Sequence, residues 1–238
     1  KQYGLPDTVI SAFPNITIDV GIKASLAKDP IKEIMRLTGQ VASEDNIDEP
    51  TLFGCKDILV KLNTHIVTPI RKGKTPKKGL VLAGPSGTGK TSMAKWLACQ
   101  LGGKFFSISP SPTIVSDLQK KISEAYTCAP AVVFIDDVDG LFDNEDTTRG
   151  FLTILDGVES KKRKSIIVVV ACMDSRSIPS AMVRGGRLEM LLHTNLPDYH
   201  TRIDILRKYC DGLNCEYWSH QMDGWNCADV TRAAADAI

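Results

Sequence analysis

What the chain lacks already excludes several classes of protein. No apolar run approaches the roughly 20 residues that a helix needs to cross a bilayer, and the start, Lys1 to Gly4, shows no apolar core of a signal peptide. The seven cysteines are odd in number and include no C-x-x-C pair, which indicates free thiols in a reducing intracellular compartment, cytoplasmic or nuclear. The formal net charge is only +1, so bulk charge predicts no polyanionic partner.

The size of the chain bounds its architecture. Its 238 residues suffice for one large α/β domain, or for a large domain with a small one. No internal repeat or low-complexity tract is present. Because the first residue is not Met and the last stretch, 233–238, stops within a helical pattern, we expect an excised piece of a longer protein.

The strongest signal is the stretch GPSGTGKT at 84–91, which fits G-x-x-x-x-G-K-[ST]. Glycines let the backbone bend around a phosphate chain, Lys90 supplies charge for the β- and γ-phosphates, and the Thr91 hydroxyl suits Mg²⁺. The flanking patterns predict a strand at 79–83 before the loop and a helix after it, so a helix dipole would favour the anion. This context disfavours a glycine-rich turn without a ligand. The predicted nucleotide-binding residues of the loop are Gly84, Pro85, Ser86, Gly87, Thr88, Gly89, Lys90, Thr91 and Ser92.

A second chemical stretch lies about 45 residues further on. Residues 131–135 are an unbroken apolar run followed by Asp136 and Asp137, as in a central parallel strand whose carboxyl end faces a ligand. Asp136 is placed to hold Mg²⁺, mostly through waters. Asp137 is the candidate to orient or deprotonate an attacking water. The other interpretation, that these residues are only a strand and its turn, is disfavoured because the phosphate-loop motif precedes them.

Strand and helix patterns alternate through the rest of the chain, which predicts a parallel sheet with helices on both faces. Further strands are predicted at 16–20, 104–108, 165–171 and 188–192. Helices are predicted at 29–37, 55–69, 91–101, 114–127, 199–210 and 226–237, and a linker at 42–50. The basic stretches 72–78 and 161–164 leave nucleic-acid contact possible but unsupported, since a solvated loop is the commoner use of such residues.

These stretches together resemble the AAA+ ATPases, and among them the narrower AAA clade, over residues 51–238. Residues 84–91 are similar to the clade's Walker A, GPPGTGKT, and 133–139, VFIDDVD, to its Walker B, IFIDEID. RGGRL at 184–188 resembles RPGRF, and GWNCADV at 224–230 resembles GFSGADL. VACMD at 170–174 stands where the sensor 1 stretch ending in ATN would lie, and LFGC at 52–55 where a GGL stretch touches adenine.

The resemblance implies a fold and an assembly. The fold is a P-loop NTPase three-layer α/β sandwich with a five-stranded parallel sheet in the order 5-1-4-3-2, followed by a small helical lid. The chain would then divide into an N-terminal segment or linker of unknown fold at 1–50, an α/β nucleotide-binding domain at 51–197 and a lid, truncated, at 198–238. The cofactors would be ATP or ADP with Mg²⁺, bound between the subunits of a ring, usually a homo-hexamer.

The resemblance also implies roles for single residues. Catalytic roles fall to Lys90, Asp137, Asp174, Arg184 and Arg187, with the two arginines reaching into the neighbouring subunit's site. Phe53, Gly54, Tyr209 and Ala228 would hold the nucleoside, and Thr91 and Asp136 the metal. The alternative for the arginines is an ordinary surface position in a glycine-rich turn.

Three departures from the clade bear on activity. Asp137 replaces a Glu, and Asp174 replaces the sensor Asn, adding negative charge near the γ-phosphate unless that acid is protonated or paired. The aromatic pore loop is missing, so threading of an unfolded chain is not expected; if a pore exists, Ile114 and Val115 should face its axis. Tyr209 also stands where many members carry a His near the ribose.

The sequence therefore predicts an ATP-hydrolysing module that forms a ring and remodels a protein or protein assembly. A weakly hydrolysing structural or regulatory module, one half of a tandem ATPase, is the alternative that Asp137 and Asp174 keep open. DNA loading or helicase work would rest on the two basic stretches alone.

Overall fold

Five parallel strands form the centre of the structure, a computed structural model that describes residues 48–160, 165–210 and 214–237. The strands are β1 (Gly79–Ala83), β2 (Lys104–Ile108), β3 (Ala131–Ile135), β4 (Ile166–Cys172) and β5 (Met190–His193). Their order is β2-β3-β4-β1-β5. This is the predicted order 5-1-4-3-2 counted from the opposite edge, so the predicted sheet is confirmed.

The register of the sheet brings three chain segments to one edge. Ala83 lies opposite Cys172, so β1 and β4 end level with each other. Ile135 at the end of β3 lies opposite Val170, two residues before the end of β4. Because parallel strands all end on the same side, the segments after β1, β3 and β4 emerge together. These segments are the phosphate loop, the Asp136–Asp137 pair and the stretch that contains Asp174.

Helices cover both faces of the sheet. They are α1 (Lys56–Leu62), α2 (Thr68–Arg71), α3 (Lys90–Leu101), α4 (Ile114–Thr127), α5 (Glu145–Ser160), α6 (Tyr199–Tyr209), α7 (Cys215–Gln221) and α8 (Cys227–Asp236). A π-helical turn, Asn63–Val67, joins α1 to α2. Pro69 has no N–H to give the carbonyl of His65, and the N–H of Lys77 donates to that carbonyl at 3.1 Å.

Side chains alternate between the two faces of β1, and each face has its own hydrophobic cluster. Val81 and Ala83 belong to the cluster under α4 and α5, whereas Leu80 and Leu82 belong to the cluster under α1 and α3. All five residues of β1 and of β3 are buried, as expected for strands covered on both sides. A third cluster joins α6, α7 and α8 through residues that include Leu206 and Val230.

The first turn of α4 contradicts the expectation for a pore. Ile114 is 2% exposed and lies in the cluster under α4 and α5. Val115 packs against the same cluster and faces Gly150, where an added Cβ would come within 2.6 Å of its Cγ1. The expectation that both side chains face a ring axis is therefore wrong, because they complete the apolar stripe that buries α4.

Some predictions lie outside the described residues. These are the strand at 16–20, the helix at 29–37, most of the linker at 42–50 and the basic turn at 161–164. Within the described ranges, no helix is both long and apolar enough to cross a membrane.

Candidate nucleotide site

The phosphate loop connects β1 to α3, and at two of its positions the available space has room only for glycine. Gly84 has φ +150°, and an added Cβ would lie 2.1 Å from the carbonyl oxygen of Thr194, just after β5. Gly87 has φ +73°, and its Cβ would lie 2.5 Å from the side chain of Asn226, just before α8. Both values of φ lie where other L-residues are strained. The glycine spacing thus follows from close approach of β5 and α8.

Helix α3 begins directly after the loop and has no side-chain cap. Its N-cap is Gly89, at φ +86°, and its first turn holds no acidic residue. By contrast, Asp198 caps α6 and Asn226 caps α8 through side-chain oxygens. The leading N–H groups of α3 are therefore left for another acceptor at the positive end of the helix dipole. A phosphate group fits this position.

Lys90 and Thr91 place a cation and a hydroxyl at this helix start. The ammonium of Lys90 donates to the carbonyl oxygens of Gly84 at 2.6 Å and Pro85 at 2.9 Å. The hydroxyl of Thr91 lies 3.5 Å from Oδ2 of Asp136. The two predicted metal-binding residues are thus adjacent, although the phosphate loop and β3 are far apart in sequence.

The buried side chain of Thr88 stabilises the phosphate loop through hydrogen bonds. This residue is 5% exposed, and its hydroxyl donates to the carbonyl of Pro85 at 2.8 Å. The same oxygen lies 2.7 Å from the hydroxyl oxygen of Thr194. Sequence reasoning missed Thr194, because no local pattern connects two residues 106 positions apart.

One cavity of about 590 Å³ runs along the loop, a size typical of small-molecule sites. Its walls come from the segment before α1, the phosphate loop, β3, α6 and α8. The lining residues are Thr51, Leu52, Phe53, Ser86, Gly87, Thr88, Gly89, Lys90, Thr91, Ser92, Met93, Asp136, Tyr209, Cys227, Ala228, Thr231, Arg232 and Ala235. Of the other predicted binding residues, Gly54 and Pro85 line neighbouring cavities, and Gly84 supports the loop from the side of β5.

One wall of this cavity is aromatic, in contrast to the polar phosphate loop. The ring centroids of Phe53 and Tyr209 lie 6.5 Å apart. The ammonium of Lys208 lies 5.8 Å from the Phe53 centroid and 5.4 Å from that of Tyr209, and it donates to the hydroxyl of Thr51. Such a wall suits a flat apolar group such as a nucleobase.

Helix α8 is tied to the phosphate loop by its own backbone. The N–H of Ala228 donates to the carbonyl of Gly87 at 3.1 Å. Thr231 and Arg232, which follow Ala228 by three and four positions, line the same cavity. Sequence reasoning named Ala228 and missed both neighbours, although helical spacing placed them on its face.

The carboxylates after β3 have different surroundings. Asp136 lines the cavity, whereas Asp137 is exposed and has φ +50°. Asp139, which the sequence did not single out, accepts hydrogen bonds from the backbone of Met173 at 2.6 Å and of Asp174 at 3.2 Å. Asp139 thus fixes the segment after β4 against the segment after β3.

Asp174 is paired with an arginine of its own loop. The guanidinium of Arg176 reaches its carboxylate at 2.6 Å, and its Nε donates to both oxygens, at 2.8 and 3.1 Å. These hydrogen bonds, with one from the Arg176 backbone, hold the pKa of Asp174 below its ordinary value. The acid at this position is therefore ionised and paired.

The two predicted trans-acting arginines also differ. Arg187 makes an ion pair with Asp156 on α5 and donates to the carbonyl of Ala181 at 2.7 Å, whereas Arg184 is exposed. Neither arginine lines the cavity of its own subunit, and Asp137 and Asp174 do not line it either. The structure thus brings most of the predicted binding residues to one cavity and leaves these four predicted catalytic residues outside it.

The donor set fits a magnesium nucleotide better than a resident metal. Among the described residues, no group of three or more His, Cys, Asp or Glu side chains is arranged to hold a metal ion. One hydroxyl and one carboxylate, Thr91 and Asp136, instead suit Mg²⁺ that takes its remaining ligands from water and phosphate.

A phosphate-cradling loop between a parallel strand and a helix, with a carboxylate at the end of a nearby strand, defines a P-loop nucleotide-binding protein. Within that class, residues 80–196 match the model of the AAA family, the "ATPase family associated with various cellular activities". This match supports the assignment to the AAA+ ATPases that the sequence resemblance implied.

A solved relative agrees with this assignment. The structure is similar to that of the FIGL-1 AAA domain in complex with ADP, with a TM-score of 0.71 and 26% sequence identity. The match covers 82% of this chain and 74% of the other. The predicted three-layer P-loop fold with C-terminal helices is therefore confirmed.

Proposed function

We propose that this chain is an ATP-binding and ATP-hydrolysing AAA module that assembles into a homo-hexameric ring and couples turnover to remodelling of a protein or protein assembly. The observation that carries the proposal is the meeting of Lys90, Thr91 and Asp136 at the uncapped start of α3. The FIGL-1 AAA domain, solved with ADP, supports the choice of nucleotide. AAA proteins commonly act as oligomers, which supports the ring.

The cavity suggests how the chain divides the work of binding. Lys90 and the N–H groups of α3 would hold the β- and γ-phosphates. Thr91 and Asp136 would hold Mg²⁺, which when bound neutralises phosphate charge. Phe53, Tyr209 and Ala228 would hold the nucleoside. The separate cluster that joins α6 to α8 supports a lid at 198–238 beside an α/β domain at 51–197.

A weakly hydrolysing structural or regulatory module, one half of a tandem ATPase, is the second candidate. It is favoured by the exposed, positive-φ position of Asp137. This observation concerns the chemical step and leaves nucleotide binding untouched. We also propose a reducing compartment, because the seven cysteines are odd in number and include no C-x-x-C pair.

The test is nucleotide titration of the wild-type chain and of Lys90→Ala, followed by phosphate release measured against protein concentration. Lys90→Ala should lose binding of MgATP and ADP while its circular dichroism stays unchanged. Lys95→Ala, which removes a lysine one and a half turns further along α3, is the matched control and should bind normally. Wild-type affinity in Lys90→Ala would refute the assignment of the phosphate loop.

The concentration series separates the two candidates. Turnover per subunit that rises with protein concentration supports a hydrolysing ring. Binding without measurable turnover at any concentration supports the weakly hydrolysing module.

A further inference from the structure

The segment after β4 carries an acid that is compensated by its own neighbour. Arg176 contacts both oxygens of the Asp174 carboxylate through two side-chain nitrogens, and its backbone N–H donates to Oδ1 at 2.9 Å. The side chains of Arg176 and Asp174 are 90% and 45% exposed. An ion pair this exposed contributes little to folding. The pair therefore matters through its effect on local charge more than through stability.

Two hydrogen-bonded connections hold this acid beside the phosphate loop. The N–H of Gly84, the first residue of the loop, donates to the carbonyl of Cys172 at 3.1 Å, and Asp174 follows two residues later. From the other side, Asp139 accepts the N–H of Asp174 at 3.2 Å. Since the Lys90 ammonium lies 2.6 Å from the carbonyl oxygen of Gly84, the cation for the terminal phosphates lies at the same edge.

The thiol of Cys172 reports on the same charges. Burial, with smaller contributions from the charges of Asp139 and Asp174, raises its pKa to about 11, although Ser177 and Lys90 act to lower it. Both Asp174 and Lys90 therefore act electrostatically on one buried atom at the end of β4. An unpaired carboxylate here would lie at the same edge of the sheet as Lys90.

We propose that Arg176 masks the charge of Asp174 and thereby sets the preference of the site for ATP over ADP. ATP carries one more phosphate and more negative charge than ADP, and it carries that charge at the end nearest Lys90. With Arg176 in place, Asp174 presents a nearly neutral pair. Without it, the carboxylate repels the γ-phosphate and leaves ADP less affected. The proposal rests on the nucleotide binding proposed above and makes Arg176 a specificity-determining residue outside the cavity lining.

The test compares affinities for ADP and for a non-hydrolysable ATP analogue, both with Mg²⁺, by titration of dilute protein. Arg176→Ala should weaken the ATP analogue by roughly 5- to 30-fold, the effect of one uncompensated charge at an effective dielectric of about 20 to 40, and ADP by only about two- to threefold. The preference should be restored in the double variant Arg176→Ala/Asp174→Asn. The loss should also shrink as salt is raised, which a merely structural role would not produce.

Arg71→Ala is the matched control. Arg71 is an exposed arginine that donates to the carbonyl of Gln100 near the far end of α3, a helix of 12 residues that begins at Lys90. This variant should leave the ratio of the two affinities unchanged.

The outcomes separate failure of this inference from failure of the proposed function. If the wild-type chain binds neither nucleotide, nucleotide binding itself is refuted. If it binds both and Arg176→Ala weakens both equally or weakens neither, charge masking is refuted while the proposed function stands. Failure of Asp174→Asn to restore the preference in the double variant would also overturn the inference.

Discussion

The guanidinium of Arg187 forms a bidentate ion pair with the carboxylate of Asp156 in the same subunit, with Nε 2.6 Å from Oδ1 and a terminal nitrogen 2.9 Å from Oδ2. The Arg187 side chain is 23% exposed, so this pair lies partly inside the protein. Arg184, three residues earlier, is exposed and gives its carbonyl to the N–H of Arg187 at 3.1 Å. The sequence treated the two arginines alike, whereas the structure gives Arg187 an anchoring contact that Arg184 lacks among the described contacts.

Arg184→Ala should slow turnover only in the assembled state, because an arginine supplied in trans acts only where subunits meet. The loss should reach the roughly 10³-fold or more typical of such arginines, with nucleotide affinity of isolated subunits nearly unchanged. Arg187→Ala should in addition lower the free energy of unfolding by about 1 kcal/mol, since it removes a bidentate pair. Phosphate release in dilute and concentrated samples, with urea unfolding, measures both. An equal loss of turnover in strictly monomeric Arg184→Ala would contradict the trans role.

The same pair predicts a pH dependence of stability. The hydrogen bond from Arg187 lowers the pKa of Asp156 from its ordinary value of 3.8. The unfolded state therefore binds the proton more readily than the folded state. The contribution of Asp156 should be complete above pH 3.8 and disappear as the pH falls through the lower folded pKa.

Urea midpoints of the wild-type chain and Asp156→Asn between neutral pH and about pH 2.5 test this linkage. The wild-type advantage should be present at neutral pH and shrink in acid. An advantage that persists unchanged at the lowest pH would mean that the pair contributes packing and little electrostatic stabilisation.

The sequence predicted the sheet better than the helices around it. The strands Gly79–Ala83, Lys104–Ile108 and Ala131–Ile135 and the helix Ile114–Thr127 were predicted to the residue, because apolar runs and stripes end there at turn residues. Helix α5 was missed although Phe151, Leu155 and Val158 are buried at helical spacing. Helix α7 has only seven residues, too few for a periodic signal.

The candidate site was predictable only where a motif is contiguous. Lys90, Thr91 and Asp136 came from local patterns, and the structure places them together. Asp139, Thr194 and Arg176 act through contacts with other loops or with one particular side chain. Such contacts depend on which strand ends become neighbours, and local patterns in a single sequence do not predict this.

The buried start of α4 makes a testable distinction between two adjacent residues. Ile114→Ser should lower the free energy of unfolding by about 2–5 kcal/mol, because it removes a fully buried side chain and inserts a hydroxyl. Val115→Ser, at a partly buried position, should cost less and serves as the control. Urea unfolding with unchanged m-values measures both. Equal and negligible costs would mean that this turn leaves the core in solution.

Arg232 should contribute to nucleotide affinity although the sequence did not mark it. It lines the same cavity as Lys90, its side chain is 74% exposed, and it pairs with Asp229 at 2.9 Å. Arg232→Ala should weaken ATP and ADP together by roughly three- to tenfold, as expected for a partly screened cation. Arg207→Ala removes an exposed arginine of α6 that pairs with Glu216, and it should leave both affinities unchanged. Equal affinities in Arg232→Ala and wild type would exclude a direct contact.

Asp137 offers the clearest test of the proposed ATP hydrolysis. Its side chain is one methylene shorter than the Glu that the AAA resemblance implies at this position, and a carboxylate set back by about 1.5 Å loses contact with a water held in line. A misplacement on the order of 1 Å can cost about 100-fold in rate. Asp137→Glu should therefore raise turnover of the assembled protein at similar ATP affinity, and Asp137→Asn should bind ATP but hardly hydrolyse it.

The backbone conformation of Asp137 affects how the result of that experiment is interpreted. Asp137 has φ +50°, a region that Asp and Asn enter more readily than Glu, so Asp137→Glu must also overcome backbone strain of about 1 kcal/mol. Asp137→Asn keeps the backbone preference and removes only the charge, which makes it the matched control. Thermal unfolding of both variants separates strain from chemistry. If Asp137→Glu folds as well as wild type and still turns over more slowly, the site is built around the shorter acid, and the weakly hydrolysing alternative loses the support that it takes from Asp137.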